Sequence, residues 1–151
     1  MGMTNKHINL NHSRPGKYDA LLKQITKDGV CPFCEDNLKK YHQPPILKKN
    51  QSWILTTNQN PYAGLKKHLL FIHRQHLISL SQLKTQDWSD LGKLINWVIE
   101  KYAIPGGSFF VRFGETDYTG ASVTHLHAHL VSGGKRTKNK NEVTIRLGYY
   151  K

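Results

Sequence analysis

Three histidines alternate with apolar residues near the end of the chain, in the run Thr124-His125-Leu126-His127-Ala128-His129-Leu130-Val131. Successive side chains of a β-strand point to opposite faces. His125, His127 and His129 therefore share one face, and Leu126, Ala128 and Leu130 share the other. The apolar face needs a core, so the chain must build a sheet covered on at least that side. The imidazole face needs a different explanation. Each ring carries two polar nitrogens that must find partners, and packing alone gives no reason to set three side by side. The pattern points to a metal cluster or to nucleophilic and acid–base chemistry. A group that titrates near pH ~6.5 suits either task.

The surrounding sequence supports an α+β domain. Trp88, Leu91, Ile95, Val98 and Tyr102 are spaced by threes and fours, which predicts one main amphipathic helix over residues 85–102, with Thr85 as its cap. Pro105, Gly106 and Gly107 close it. Tyr18, Leu21, Leu22 and Ile25 ahead of Gly29 predict a short N-terminal helix, and residues 36–41 a second short one. Residues 53–57, 68–73, 108–113 and 123–131 read as strands, and residues 143–147 as a final edge strand. Together they predict a mainly antiparallel five-stranded sheet. Residues 1–15 are polar and aperiodic, so they are expected to be a flexible tail, with residues 16–151 as a single domain.

The 151 residues are enough for one core without disulfide staples. Lys and Arg number 22 against 10 Asp and Glu, a net charge of +12, which favours anionic partners. Apolar runs such as 69–72 are far too short to span a bilayer, and the N-terminus lacks an apolar signal core. The expected location is cytoplasmic. Cys31 and Cys34 are the two cysteines, and a C-x-x-C pair in such a chain reads as a metal site or redox pair rather than a scaffold disulfide. Lys135, Arg136, Lys138 and Lys140 form a basic run, with Lys66 and Lys67 elsewhere. The run suits polyphosphate capture or a solvated face. It lacks the interleaved aromatics of a nucleic-acid site, so nucleic acid is not the expected partner.

The run Gly120-Ala-Ser-Val-Thr-His-Leu-His-Ala-His-Leu-Val131 resembles the histidine-triad (HIT) signature, in which three histidines alternate with apolar residues. Asn58-x-x-Pro61-Tyr62-x-Gly64, followed by His68-Leu-Leu-Phe-Ile and then His76, is similar to that family's strand–loop–strand segment. Cys31-Pro-Phe-Cys34 resembles the metal pair of its zinc-containing bacterial-type branch, which includes diadenosine polyphosphate-cleaving members. The resemblance implies a HIT-like fold, a homodimer, and a nucleotidyl hydrolase or transferase acting on nucleoside phosphates, phosphoramidates or dinucleoside polyphosphates. His127 would attack the α-phosphate and form a covalent intermediate, its tautomer held by a main-chain carbonyl. His129 and Ser122 would stabilise the phosphoryl oxygens, and Asn58 would hold the ribose hydroxyls. A structural zinc would sit on Cys31, Cys34, His76 and His125. The alternative function is a nucleotide-binding signalling module with little turnover.

The chain departs from the family pattern at several points. Leu65, Lys66 and Lys67 separate Gly64 from His68, which would either buttress the triad or cap a strand. Ala121 and Arg112 replace a frequent glutamine and asparagine, and Ser132-Gly133-Gly134 follows the triad instead of proline–arginine. Arg112 would hold an extra phosphate or pair with Glu115 or Asp117. His73 is expected at the surface, and His7, His12 and His42 as solvated side chains. Trp53, Leu55 and Pro61 are candidate walls of a purine slot.

Overall fold

The computed structural model describes residues 5–138 and 141–151, so Lys140 of the basic run lies outside the described residues. Five strands form one antiparallel sheet: β1 (Ile46–Lys49), β2 (Trp53–Thr57), β3 (Lys67–His73), β4 (Ser108–Arg112) and β5 (His127–Ser132), in the order β1-β2-β3-β5-β4. Helices α1 (Lys17–Asp28) and α2 (Glu35–Tyr41) precede the sheet, and α3 (Thr85–Lys101) separates β3 from β4. The α+β class and the strand count agree with the expectation from the sequence.

The period-two alternation sorts the sheet's side chains into two layers. Trp53 and Leu55 of β2, Leu69 and Phe71 of β3, and Ala128 and Leu130 of β5 pack with Leu126 against Leu91, Leu94 and Val98 of α3. On the opposite face, Ile54, Leu70 and Ile72 pack with Leu38 of α2 and with Phe33. A third cluster joins Leu22 and Ile25 of α1 to Tyr41, with Ile8 and Val30 against them. The sheet is thus covered on both sides, and the imidazoles of β5 open onto the α1–α2 side.

The sequence expectations missed the identity of the fifth strand. Residues 143–147 run without strand pairing, and β1 supplies the sheet edge instead. β1 is four residues long, half of them lysine, and its pairing with β2 shifts register between Ile46 and Lys48. Short, bulged, lysine-bearing strands are how sheet edges resist further pairing, and such strands leave little hydrophobic signal. The main helix also starts differently. Thr85 is its first residue rather than its cap, and the Asp87 carboxylate accepts the Lys84 N–H at 2.8 Å.

The segment expected as a tail makes specific contacts from Asn5 onward. The Asn5 amide donates to the carbonyls of Ile25 and Val30 at 3.1 and 3.0 Å, and Ile8 forms a β-bridge with Val123. These are long-range pairings, made largely through main-chain groups, which no local period reveals. His73 is buried rather than exposed, at 2 % accessibility. Its ring lies edge-on to Trp53, and its Nε2 donates to Asp87 of α3 at 3.2 Å. His42 is also buried, with Nε2 2.9 Å from the Thr56 hydroxyl. At Gly107, a Cβ would lie 2.4 Å from the Val131 carbonyl, so only glycine lets the chain pass β5 and enter β4.

Candidate functional site

The register of β5 places the central histidines. His127 faces Ile72 of β3 and Arg112 of β4, and His129 faces Leu70 and Phe110. Directly paired residues project to the same face, so Arg112 accompanies His127 on the open side. His125 lies just ahead of the strand. All three rings are buried, and His127 and His129 line a cleft of about 380 Å³ between the sheet and α1.

His127 Nδ1 lies 2.6 Å from the His125 carbonyl. A carbonyl only accepts, so Nδ1 carries the proton and Nε2 is left as the bare nitrogen. Burial holds this ring well below the usual imidazole range, at about 4, so it is neutral near pH 7. His68, with its pKa also lowered to about 4 by burial, reaches the triad directly: its Nε2 is 2.9 Å from His129 Nδ1. Of the two roles open to His68, the buttress is the one seen. Burial likewise pushes His129 well below its ordinary value, and its ring stacks on Phe110 with centroids 4.6 Å apart. Asn58 places its amide nitrogen 3.1 Å from His68 Nε2, while its oxygen accepts the Asn60 N–H at 2.8 Å.

Arg112 makes neither of its expected acidic pairings. It donates to the Thr119 carbonyl at 3.1 Å, the Tyr62 hydroxyl at 2.9 Å and the Arg146 carbonyl at 2.7 Å, and its Nη1 sits 3.4 Å from His129 Nε2. The Ser122 hydroxyl lines the cleft in close contact with the Tyr18 hydroxyl. The structure also brings in residues the sequence reading passed over: Arg14, Tyr18 and Phe33. The Arg14 guanidinium lies 5.1 Å from the Tyr18 ring centroid and 5.3 Å from that of Tyr62. Phe33 meets His127 edge-on at 5.0 Å. Trp53 and Leu55 belong to the core under α3, and Pro61 does not line the cleft. Its apolar end is made instead by Leu22, Ile25, Phe33, Tyr41 and Leu70. His12, expected to be solvated, holds the Ala121 carbonyl with Nδ1 at 2.7 Å.

A second cluster stands behind the triad. Ligand atoms of Cys31, Cys34, His76 and His125 all lie within 4.8 Å of one another. Gly29 ends α1 in the left-handed conformation (φ 69°), and Cys34 begins α2, its carbonyl accepting the N–H groups of Asn37 and Leu38. The two thiols therefore sit on a tight turn between helices. Cys31 Sγ is 3.5 Å from His125 Nδ1, Cys34 Sγ is 3.4 Å from His76 Nδ1, and Cys34 Sγ is 3.8 Å from His125 Nδ1. Tetrahedral coordination of one zinc ion requires sulfur–nitrogen separations of about 3.6 Å, so the spacing fits. His125 Nε2 donates to the His73 carbonyl at 2.6 Å, which leaves Nδ1 as the free donor atom facing the sulfurs. Burial raises the Cys31 thiol to about 12, so a cation is what would hold it as thiolate. The donor set suits a closed metal site.

No protein-family model matches the chain. An uncharacterized protein of Archaeoglobus fulgidus is 26 % identical over 109 residues, 67 % of this chain, which spans only 32 % of that protein's length. A HIT family hydrolase from Clostridium thermocellum superposes with TM-score 0.56 at 26 % identity, over 76 % of this chain and 96 % of its own. A zinc-bound histidine-triad protein from Mycobacterium smegmatis superposes at 0.55 with 15 % identity, over 78 % and 82 %. An uncharacterized HIT-like protein of Chlamydia muridarum is 30 % identical over 89 residues, 57 % of this chain and 68 % of that protein. With the alternating histidine strand, the sheet order and this relative in agreement, the chain belongs to the histidine-triad (HIT) family.

Proposed function

We propose that the protein is a nucleotidyl hydrolase or transferase acting through a covalent intermediate on His127. The observation that carries this reading is the hydrogen bond from His127 Nδ1 to the His125 carbonyl, which leaves Nε2 of a neutral ring as nucleophile beside the cleft. A neutral imidazole attacks phosphorus without prior deprotonation, and the covalent stage divides one difficult displacement into two. The substrate class is nucleoside phosphates, phosphoramidates or dinucleoside polyphosphates. The base occupies the apolar end formed by Leu22, Ile25 and Phe33, and the α-phosphate lies between His127 and Ser122. His129 stands where charge develops on the transferring group, and Arg112 Nη1 lies 3.4 Å from its Nε2. Asn58, in the cleft wall, is the partner for ribose hydroxyls.

The metal assigned to Cys31, Cys34, His76 and His125 is zinc. Four protein ligands leave no open position, so its contribution is structural: it ties the α1–α2 turn to the residue whose carbonyl orients His127.

Replacing His127 with alanine is expected to lower turnover by roughly 10⁴-fold or more while the fold and nucleotide binding persist. Steady-state kinetics with calorimetric nucleotide titration reads both. Turnover near the native rate contradicts the assignment, and binding without turnover in the native chain favours the signalling alternative.

Cys34→Ser is expected to lower bound zinc, measured by elemental analysis, and the melting temperature together. An unchanged melting point alongside lost metal removes the structural role.

Stability is expected to fall in mild acid. The folded-state pKa values of His68 and His127 lie near 4, below the ordinary 6.5, because burial disfavours their charged forms. Above pH 6.5 both folded and unfolded chains leave these rings neutral, and the stability is complete. As pH falls from 6.5 towards 4, the unfolded chain binds protons that the folded one refuses, so stability declines. Urea midpoints across this range, measured on Cys34→Ser so that metal release does not contribute, should decrease. A flat profile contradicts the assigned neutral rings.

A further inference from the structure

Two guanidinium groups occupy the cleft with no carboxylate to balance them. Arg14 and Arg112 are half-buried, and among the described residues no acidic side chain forms an ion pair with either, or with Arg146 at the cleft rim. The acceptors that hold Arg112 are all neutral: the Thr119 and Arg146 carbonyls and the Tyr62 hydroxyl. Arg14 donates to the Asn60 carbonyl and lies against Tyr18 and Tyr62. Tyr62 thus sits between the two, with one guanidinium over its ring and the other at its hydroxyl. Partly desolvating two cations in one place costs stability unless a ligand supplies the counter-charge. A single nucleotide α-phosphate, carrying one negative charge in an anhydride, balances only one of them.

We propose that Arg112, together with Arg14, is a specificity-determining pair that selects a leaving group bearing phosphate rather than an uncharged amine. The proposal rests on the assignment of His127 as nucleophile and extends it to the other side of the scissile bond. Arg112 is suited to the role by register. It is paired with His127 across the β4–β5 ladder, so its side chain reaches past the reacting imidazole on the same face. Its fork is held open by main-chain carbonyls on two different segments, residues 119 and 146, which leaves it aimed rather than free to search.

The chemistry follows from what a guanidinium can do. His127 Nε2 forms a bond to the α-phosphorus as the bridging P–O bond breaks. The electron pair departs on the bridging oxygen, and the leaving phosphate chain carries it away as anionic charge. Arginine stays protonated, so it neutralises this charge but transfers no proton. That serves a phosphate, which leaves as an anion. It does not serve an amine, which must gain a proton to leave. Water then attacks the phosphorus: a new P–O bond forms as the P–N bond to His127 Nε2 breaks, the electron pair returns to the imidazole, the attacking water's proton passes to solvent, and the nucleoside monophosphate departs from a neutral His127.

The test compares two substrates with the same nucleoside and α-phosphate: adenosine 5′-triphosphate, which leaves pyrophosphate, and adenosine 5′-phosphoramidate, which leaves ammonia. The native protein is expected to show the higher kcat/KM on the triphosphate. In Arg112→Gln the triphosphate-to-phosphoramidate ratio of kcat/KM should fall by about 20-fold or more, and in Arg14→Gln in the same direction. Native preference for the phosphoramidate, or an unchanged ratio in both variants, overturns the proposal while leaving His127 as nucleophile. If neither substrate is cleaved and neither labels the native protein, the underlying assignment fails instead. Should Arg112→Gln not fold, Arg14→Gln and the native preference still decide.

Discussion

A one-residue slip of β5 against β3 and β4 would exchange every side chain on its two faces. Leu126, Ala128 and Leu130 would move into the cleft, and three imidazoles would be driven under α3 against Leu91, Leu94 and Val98. The apolar side is buried against a helix, so the slip is strongly opposed. The packing of α3 therefore fixes the position of the histidines on the opposite face. The same register sets Arg112 beside His127 and Phe110 beside His129. Core and site are two consequences of one pairing.

His125 links the cleft to the cysteine cluster. One ring nitrogen is held by the His73 carbonyl, the other faces the two thiols, and its own carbonyl accepts from His127. The His73 ring is in turn anchored to Asp87 at the start of α3. A continuous set of contacts thus runs from the α3 side of the sheet to the nucleophile. The cysteine turn joins this set from the other side, between α1 and α2. A metal at that point would restrain α1 and α2, which form the opposite wall of the cleft.

The histidine face, the two core strands before it, the main helix and the C-x-x-C pair were legible in the sequence because each carries a local period or spacing, whereas His76 and His125 joined the cysteines only through the family resemblance. What was missed lies in contacts between distant residues. Arg14 and Tyr18 belong to a stretch with no catalytic signature, yet Tyr18 meets Ser122 across 104 positions. His42 is expected to be solvated because it lies in a polar stretch, and His73 at the surface from its place in the family pattern, but Thr56 and Asp87 satisfy their rings inside the fold. Trp53 and Leu55 suggested a base slot, whereas strand alternation sends them under α3. Residues 143–147 have strand-like composition, but Ile145 and Arg146 lie along the cleft rim and the Arg146 carbonyl is spent on Arg112.

The central claim is a covalent bond between His127 and phosphorus. Its direct measurement is peptide mass mapping after rapid alkaline quench of the protein with excess substrate, since a phosphorus–nitrogen bond on imidazole survives base better than acid. The account predicts a nucleoside monophosphate adduct on the peptide containing residues 125–129, localised to His127. Steady product release with no adduct at any quench time, or an adduct on a different residue, would contradict it.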